Sequence, residues 1–202
     1  MRRPLVALLA ASFLLAAACS DGGDAAPTTV PPTTVRATTT TVRATTTTDA
    51  ATTTSVELPQ PLPPPDARAR EPYTMLGTIE IPAIKVKKKL LEGVSLNTLD
   101  RGPGHWPGTA MPGQIGNVVI GGHRTSHDRP FRHIDKLVPG DEVILTTLEG
   151  RYVYTVRETR IVTPDALWVV DQKPAYTAVL FACHPVGSTS HRLVVFLELQ
   201  ET

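Results

Sequence analysis

The sequence predicts an all-β domain, a closed or nearly closed barrel of seven to eight strands with short helices, carried behind an exported leader and a long disordered stalk. Three observations lead there. Short runs rich in Val, Ile, Thr and Tyr recur between Gly and Pro punctuation over the last 130 or so of the 202 residues. Helical periodicity is weak and short throughout that region. The residues before it are too poor in large apolar side chains to build a core of their own.

The elements follow in chain order. Arg2 and Arg3 precede an apolar run, Leu5 to Ala18, broken only by Ser12. This pattern of basic start and short apolar stretch marks an export signal, and the run is shorter than the roughly 20 residues a comfortable membrane span needs. Ala16-Ala17-Ala18-Cys19 closes it and resembles the lipobox of bacterial lipoproteins, with Ala16 standing where Leu is usual. The resemblance implies Cys19 as a candidate site of lipid attachment, with ordinary cleavage or an uncleaved anchor as the alternatives. Residues 1–19 are therefore assigned to a signal peptide or lipoprotein-type anchor. Residues 20–70 are assigned to a disordered linker dominated by Thr, Pro, Ala and Val, in which Thr33–Thr39 repeats identically as Thr40–Thr46. The repeat lacks the two large apolar positions of a coiled-coil heptad. A stalk of this length would span roughly 40 Å as a flexible coil and up to about 150 Å fully extended. It ends in Leu58-Pro59-Gln60-Pro61-Leu62-Pro63-Pro64-Pro65, a polyproline II sequence.

Residues 71–202 form the predicted folded domain. Strands are expected near 76–81, 84–91, 117–121, 141–148, 151–162, 177–183 and 192–199, with a hairpin turn at Leu148-Glu149-Gly150-Arg151. Short helices are expected at Ser95–Asp100 and Arg129–Leu137. Lys85, Lys87, Lys88 and Lys89 are expected to decorate an exposed strand face.

Composition excludes some classes. A formal net charge of +1 offers no electrostatic footprint for nucleic acid. Two cysteines, in unlike settings, exclude a disulfide-rich scaffold. Cys183 closes an apolar run, Val179 to Ala182, and Pro185 and Gly187 follow it, so the thiol is expected at a barrel rim, where loops converge over a rigid scaffold. A nucleophilic thiol needs a nearby cation or base. His184 is adjacent in sequence, but strand alternation should turn it away from Cys183, and the same alternation separates His191 from Arg192. His123 follows the strand-like run Gly116 to Gly122, whose last two glycines are expected to let backbone or substrate approach closely. His105, His127 and His133 are read as surface or capping residues. Arg192 opens the last strand, and pairing across a hairpin-like loop would bring its guanidinium to Cys183. On the residues alone, this is a Cys/His/Arg site beside two bland readings, a buried structural thiol and a solvated arginine.

The segment Gly116-Asn117-Val118-Val119-Ile120-Gly121-Gly122-His123-Arg124-Thr125 resembles the histidine motif of bacterial sortases. Phe131 to Val143 resembles the stretch that follows it in that family. Cys183-His184-Pro185, with Arg192-Leu193-Val194-Val195 downstream, resembles the sortase cysteine and arginine motifs, most like class E. The resemblance runs from about Leu76 to Leu199. It implies an eight-stranded barrel and a cysteine transpeptidase with Cys183 as nucleophile, His123 as general acid/base and Arg192 as the group that orients substrate and steadies the oxyanion. The backbone N–H of His184 is a candidate second oxyanion donor. The implied substrates are secreted proteins with a C-terminal Leu-Pro-x-Thr-Gly or Leu-Ala-x-Thr-Gly sorting signal, joined to a cell-wall precursor amine by an enzyme tethered to the membrane through its N-terminal anchor. No metal or organic cofactor is expected. Two features depart from the family pattern: Ala182 stands where Thr commonly precedes the cysteine, and a cysteine-ended leader with a stalk replaces the usual transmembrane helix. A thiol peptidase using water as acceptor, and a non-catalytic wall-associated binding module, are the alternatives.

Overall fold

The strands close on themselves. In this computed structural model, which describes residues 56–200, the elements are β1 (Met75–Ile81), β2 (Val86–Glu92), α1 (Leu96–Leu99), β3 (Gly104–His105), β4 (Gly116–Gly121), β5 (Glu142–Thr147), β6 (Arg151–Val162), β7 (Tyr176–His184) and β8 (His191–Leu199). Around the barrel the order is β1-β2-β3-β4-β7-β8-β6-β5, with β5 returning to β1. Most neighbours are antiparallel; β2–β3 and β4–β7 are parallel. All seven expected strands are present, and the eighth, β3, is two residues in a Gly/Pro-rich stretch whose composition gives no strand signal. The expected helix at 95–100 is α1, capped by the Ser95 side chain. That at 129–137 shrinks to a 3₁₀ turn, Ile134–Lys136, and a further 3₁₀ turn spans Leu167–Val170.

Inward side chains of every long strand fill the barrel, among them Ile79, Leu90, Ile120, Leu145, Tyr154, Leu180 and Val195. Strand β4 is buried along its whole length. Its outward Val119 joins Val179, Val194, Trp106 and Val170 in a second apolar cluster on the outside of the barrel. A strand covered on both faces reads as a continuous apolar run, which is how Val118-Val119-Ile120 appears in the sequence. Of the lysines expected on one exposed face, Lys87 and Lys89 lie there, with Lys87 paired to Glu80 at 2.8 Å. Lys88 alternates to the opposite face, across from Ile79, and pairs with Asp128 at 2.8 Å, and Lys85 lies just before the strand.

The folded unit begins earlier than residue 71. Residues 58–70, read as the end of the linker, run along the barrel as a strap. The Leu62 N–H donates to the Pro107 carbonyl at 2.9 Å, and the Trp106 indole N–H donates to the Leu62 carbonyl at 2.8 Å. The Ala67 carbonyl accepts from Leu96 at 2.8 Å. Proline removes donors, not acceptors, so a polyproline segment can still be held through its carbonyls and its apolar rings. Cys19 and the rest of the leader and repeat region lie outside the described residues.

Glu71 pins the strap. Its carboxylate accepts from Ser95 Oγ at 2.6 Å, Thr98 Oγ1 at 2.6 Å, Ser95 N at 3.1 Å and Val94 N at 3.3 Å. Gly93, at φ +106°, leaves the space the carboxylate occupies; a Cβ there would strike Glu71 Oε2. Burial pushes the Glu71 carboxyl up, but the four hydrogen bonds outweigh it and hold the group below its ordinary range. A carboxyl depressed in the folded state stabilises fully above its unfolded value, about 4.3, and loses that contribution as pH falls through the folded value. Replacing Glu71 by Ala strands four donors and should cost about 2–3 kcal/mol, read as a lower melting temperature. The gap between wild type and Glu71→Gln should stay constant at neutral pH and narrow only below about pH 4. A gap unchanged down to the acid limit would refute the ionic anchor.

Candidate active site

Two strand pairings bring the predicted site residues together. Cys183 and Arg192 are direct partners across the antiparallel β7–β8 pair. Strand β4 runs parallel to β7 with Gly121 opposite Phe181, so His123 and Cys183 each lie two residues past the same rung. Cys183, His123 and Arg192 all line one cavity of about 490 Å³. Cys183 is half-buried and a free thiol. Its Sγ takes part in no hydrogen bond among the described residues.

The two glycines before His123 have a different role from the one the sequence suggests. A Cβ on Gly121 would lie 2.6 Å from Phe181 Cζ, and one on Gly122 would lie 2.5 Å from Phe131 Cδ2. Both spaces are filled by aromatic rings of the protein, and the rings draw the end of β4 down onto the barrel.

His123 is held by a residue that sequence reasoning passes over. Its Nε2–H donates to Asp100 Oδ1 at 2.8 Å. Asp100 is the C-terminal cap of α1, and its other oxygen accepts from Arg68 Nη1 of the strap at 2.6 Å. Burial raises the Asp100 carboxyl, but the hydrogen bonds from His123 and Arg68, with the nearby charges of His127 and Arg68, hold it below the usual range. Asp100 is thus ionised at neutral pH. His127, read from sequence as a surface or capping residue, stacks on His123 with ring centroids 5.2 Å apart, and its Nδ1 lies 3.2 Å from Asp100 Oδ1. It sits at φ 52°, a turn conformation that bends the loop back over its own start. Asp100, His123 and His127 so bring three potential ligand atoms within 4.8 Å of one another.

On the opposite wall, Arg192 Nη1 donates to the Thr189 and His191 carbonyls at 2.9 and 3.0 Å. The Gly187 N–H donates to Thr125 Oγ1 at 3.0 Å and ties the β7–β8 turn to the loop after His123. The His184 ring faces away from the cavity, as alternation predicts. Its Nδ1 accepts from Arg124 Nη1 at 2.9 Å, and an arginine cannot accept in return, so this nitrogen carries no proton. Arg124 is almost fully buried and also pairs with Asp135 at 2.9 Å, so it fixes the residue after the thiol to the segment after the histidine. His191 and His133 are exposed, the latter preceding the Ile134 turn. His105 is a correction: it is buried, with Nδ1 2.8 Å from Glu92 Oε2 and Nε2 3.0 Å from the Ala110 carbonyl, and it joins β2 to the loop after β3.

A Sortase domain family model matches residues 79–200. The chain is 33% identical over 147 residues to Sortase SrtE1 of Streptomyces coelicolor, covering 65% of this chain and 42% of that protein. It is 30% identical over 124 residues to Sortase D of Bacillus subtilis, covering 59% and 61%. The chain thus spans less than two thirds of the length of these relatives. Among solved structures, Sortase E1 of Streptomyces coelicolor with a tripeptide in its active site superposes with a TM-score of 0.60 at 28% identity, over 66% of this chain and 92% of that one. A Clostridium perfringens Sortase D5 transpeptidase superposes with a TM-score of 0.59 at 34% identity, over 63% and 79%. With the domain match spanning most of the described barrel, the chain belongs to the sortase family.

Proposed function

We propose that this protein is an exported, surface-tethered cysteine transpeptidase that cuts a Leu-Pro-x-Thr-Gly or Leu-Ala-x-Thr-Gly sorting signal between Thr and Gly and passes the acyl group to a cell-wall amine. The observation that carries this reading is the register pairing of Cys183 with Arg192 beside His123 in one cavity. In this reading residues 1–19 anchor the chain to the membrane, through Cys19 if it is lipidated. The Thr/Pro-rich stalk carries the barrel out from the surface.

The chemistry runs in two halves. The Cys183 thiolate attacks the Thr carbonyl carbon, and Arg192, with the His184 backbone N–H, steadies the oxyanion. The tetrahedral intermediate collapses as the C–N bond breaks and His123 gives its proton to the departing Gly amine, leaving a thioester on Cys183. The incoming amine attacks that thioester, loses its proton to His123, and expels the thiolate. Asp100 keeps the His123 ring in one orientation and tautomer, a positioning role like that of the third member of other nucleophile–base pairs. A second cavity of about 230 Å³, lined by Pro64, Trp106, Phe181, Val194 and Arg192, adjoins the first and offers apolar walls for the residues upstream of the cut.

Incubating the full chain in mild detergent with each signal peptide should give an acyl adduct on Cys183 by intact mass spectrometry. The adduct should vanish in Cys183→Ala, and its formation should slow about 10²–10³-fold or more in His123→Ala and Arg192→Ala. With an added amine the product should be the amide; the free acid alone would identify water as the acceptor. A folded protein with no adduct and no thiol-probe labelling would leave a binding module.

Asp100→Asn should lower kcat about 10- to 100-fold with little change in KM, since one charge-assisted hydrogen bond is lost. The ¹⁵N shifts of the His123 ring should report loss of the Nε2–H tautomer. Unchanged shifts alongside a slower enzyme would make Asp100 merely structural.

A further inference from the structure

The cluster Asp100–His123–His127 has a use that the transpeptidase chemistry does not require. We propose that these three residues form a binding site for a divalent transition metal of the Zn²⁺ class, and that occupancy reversibly switches the site off. Two imidazoles and one carboxylate make up a donor set that such ions take, with a fourth position left open.

The geometry is nearly that of a three-ligand zinc site. Zn²⁺ with bonds of about 2.0–2.1 Å holds tetrahedral ligand atoms about 3.3 Å apart. Asp100 Oδ1 lies 2.8 Å from His123 Nε2 and 3.2 Å from His127 Nδ1, and the three atoms all lie within 4.8 Å of one another. Both ring nitrogens therefore already converge on a single oxygen. Asp100 Oδ2 is engaged by Arg68, which leaves Oδ1 turned toward the histidines and fixes the carboxylate from outside. The ligands come from α1 and from the loop after β4, elements held by the barrel and the strap. His127 is bent back over His123 by its left-handed backbone. The three residues line the same cavity as Cys183, so an ion can enter from solvent.

Binding follows from ordinary proton accounting. Nε2 of His123 must give up its hydrogen to bind, and the neutral ring then carries its proton on Nδ1. The nitrogen that Asp100 orients is consumed by the metal. Metal affinity rests on the cluster alone, whereas the switch rests on the acid/base role proposed for His123. His123 and His127 stand four residues apart in a turn, but the third ligand lies 23 residues upstream of His123, so the sequence alone gave no reason to expect a metal.

Calorimetric titration of the full chain in mild detergent with ZnCl₂ should show one site, and Zn²⁺ should raise the melting temperature. Loss of an outer partner already costs about 10–100-fold in metal affinity, so His127→Ala should weaken binding by more than about a hundredfold. His127→Gln serves should the alanine variant not fold. Cys183→Ala should bind as wild type does. Zn²⁺ should suppress acyl-adduct formation in wild type, and chelator should restore it. At the same Zn²⁺ concentration His127→Ala should keep its own metal-free rate. No binding heat and no melting shift would overturn the proposal, as would equal affinity in His127→Ala or loss of binding in Cys183→Ala, which would make the thiol the ligand. Binding that follows the predicted variants in a chain that forms no adduct would uphold the metal site while removing the transpeptidase reading.

Discussion

The parallel pairing of β4 with β7 is the constraint on which the site depends. Parallel neighbours cannot be joined by a hairpin, and here the chain goes round the barrel through β5 and β6 before returning to lie beside β4. Because the two strands run the same way, they end at the same rim. The rung that sets Gly121 opposite Phe181 brings the next residues of both strands to that rim in step. An antiparallel pair would have sent one of them to the far end. Shifting either strand by one residue would turn Cys183 or its neighbours to the other face, and burial of β4 on both faces resists that slip. Packing of Phe181 against Gly121 and of Phe131 against Gly122 adds to it, since neither ring has room to follow a side chain inserted there.

A second set of contacts ties the rim to the start of the folded unit. Glu71 caps the approach to α1, Asp100 closes that helix, Arg68 bridges strap to Asp100, and Asp100 holds His123. The chain from strap to histidine passes through charged hydrogen bonds of 2.6 to 2.8 Å. Such bonds are roughly twice as strong as neutral ones. The helix between them is only four residues long, too short to persist without its tertiary contacts. The orientation of the histidine therefore depends on residues that sequence reads as linker.

The strands were legible for one reason, and the strap and its partners were hidden for another. Alternation of apolar and polar residues is a local signal, so seven strands and the turn of His184 away from the cavity follow from it, while the pairing of Arg192 with Cys183 was expected only from the hairpin-like loop between them. Strand β3 carries no such signal because it is two residues among glycines and prolines. The strap was hidden because polyproline composition matches that of a disordered linker, and much of its anchoring runs through backbone groups such as the Leu62 N–H and the Leu62 and Ala67 carbonyls, which carry no composition signal. His105, Asp100 and His127 were missed because each derives its role from a partner distant in the chain: Glu92 for His105, His123 for Asp100, and the stack on His123 for His127. In the sequence Asp100 is an unremarked acid at the end of a weak helix.

Arg124 shows how the same residues serve both fold and site. Burying a guanidinium is costly unless every donor direction is matched. Here Asp135 takes Nη2, His184 takes Nη1, and the Arg132 carbonyl takes Nε at 3.4 Å. Each partner comes from a different segment: the 3₁₀ turn after β4, the residue after the thiol, and the loop between. A lysine could supply the charge but not a planar fork reaching three partners at once. The backbone on either side of Cys183 is thereby fixed by β7–β8 pairing on one hand and by the His184 ring on the other. The thiol itself, free of hydrogen bonds among the described residues, is left to the cavity. A site arranged this way keeps its scaffold rigid while its thiol stays uncommitted, and the residues that secure it are the ones least visible in a scan for chemistry.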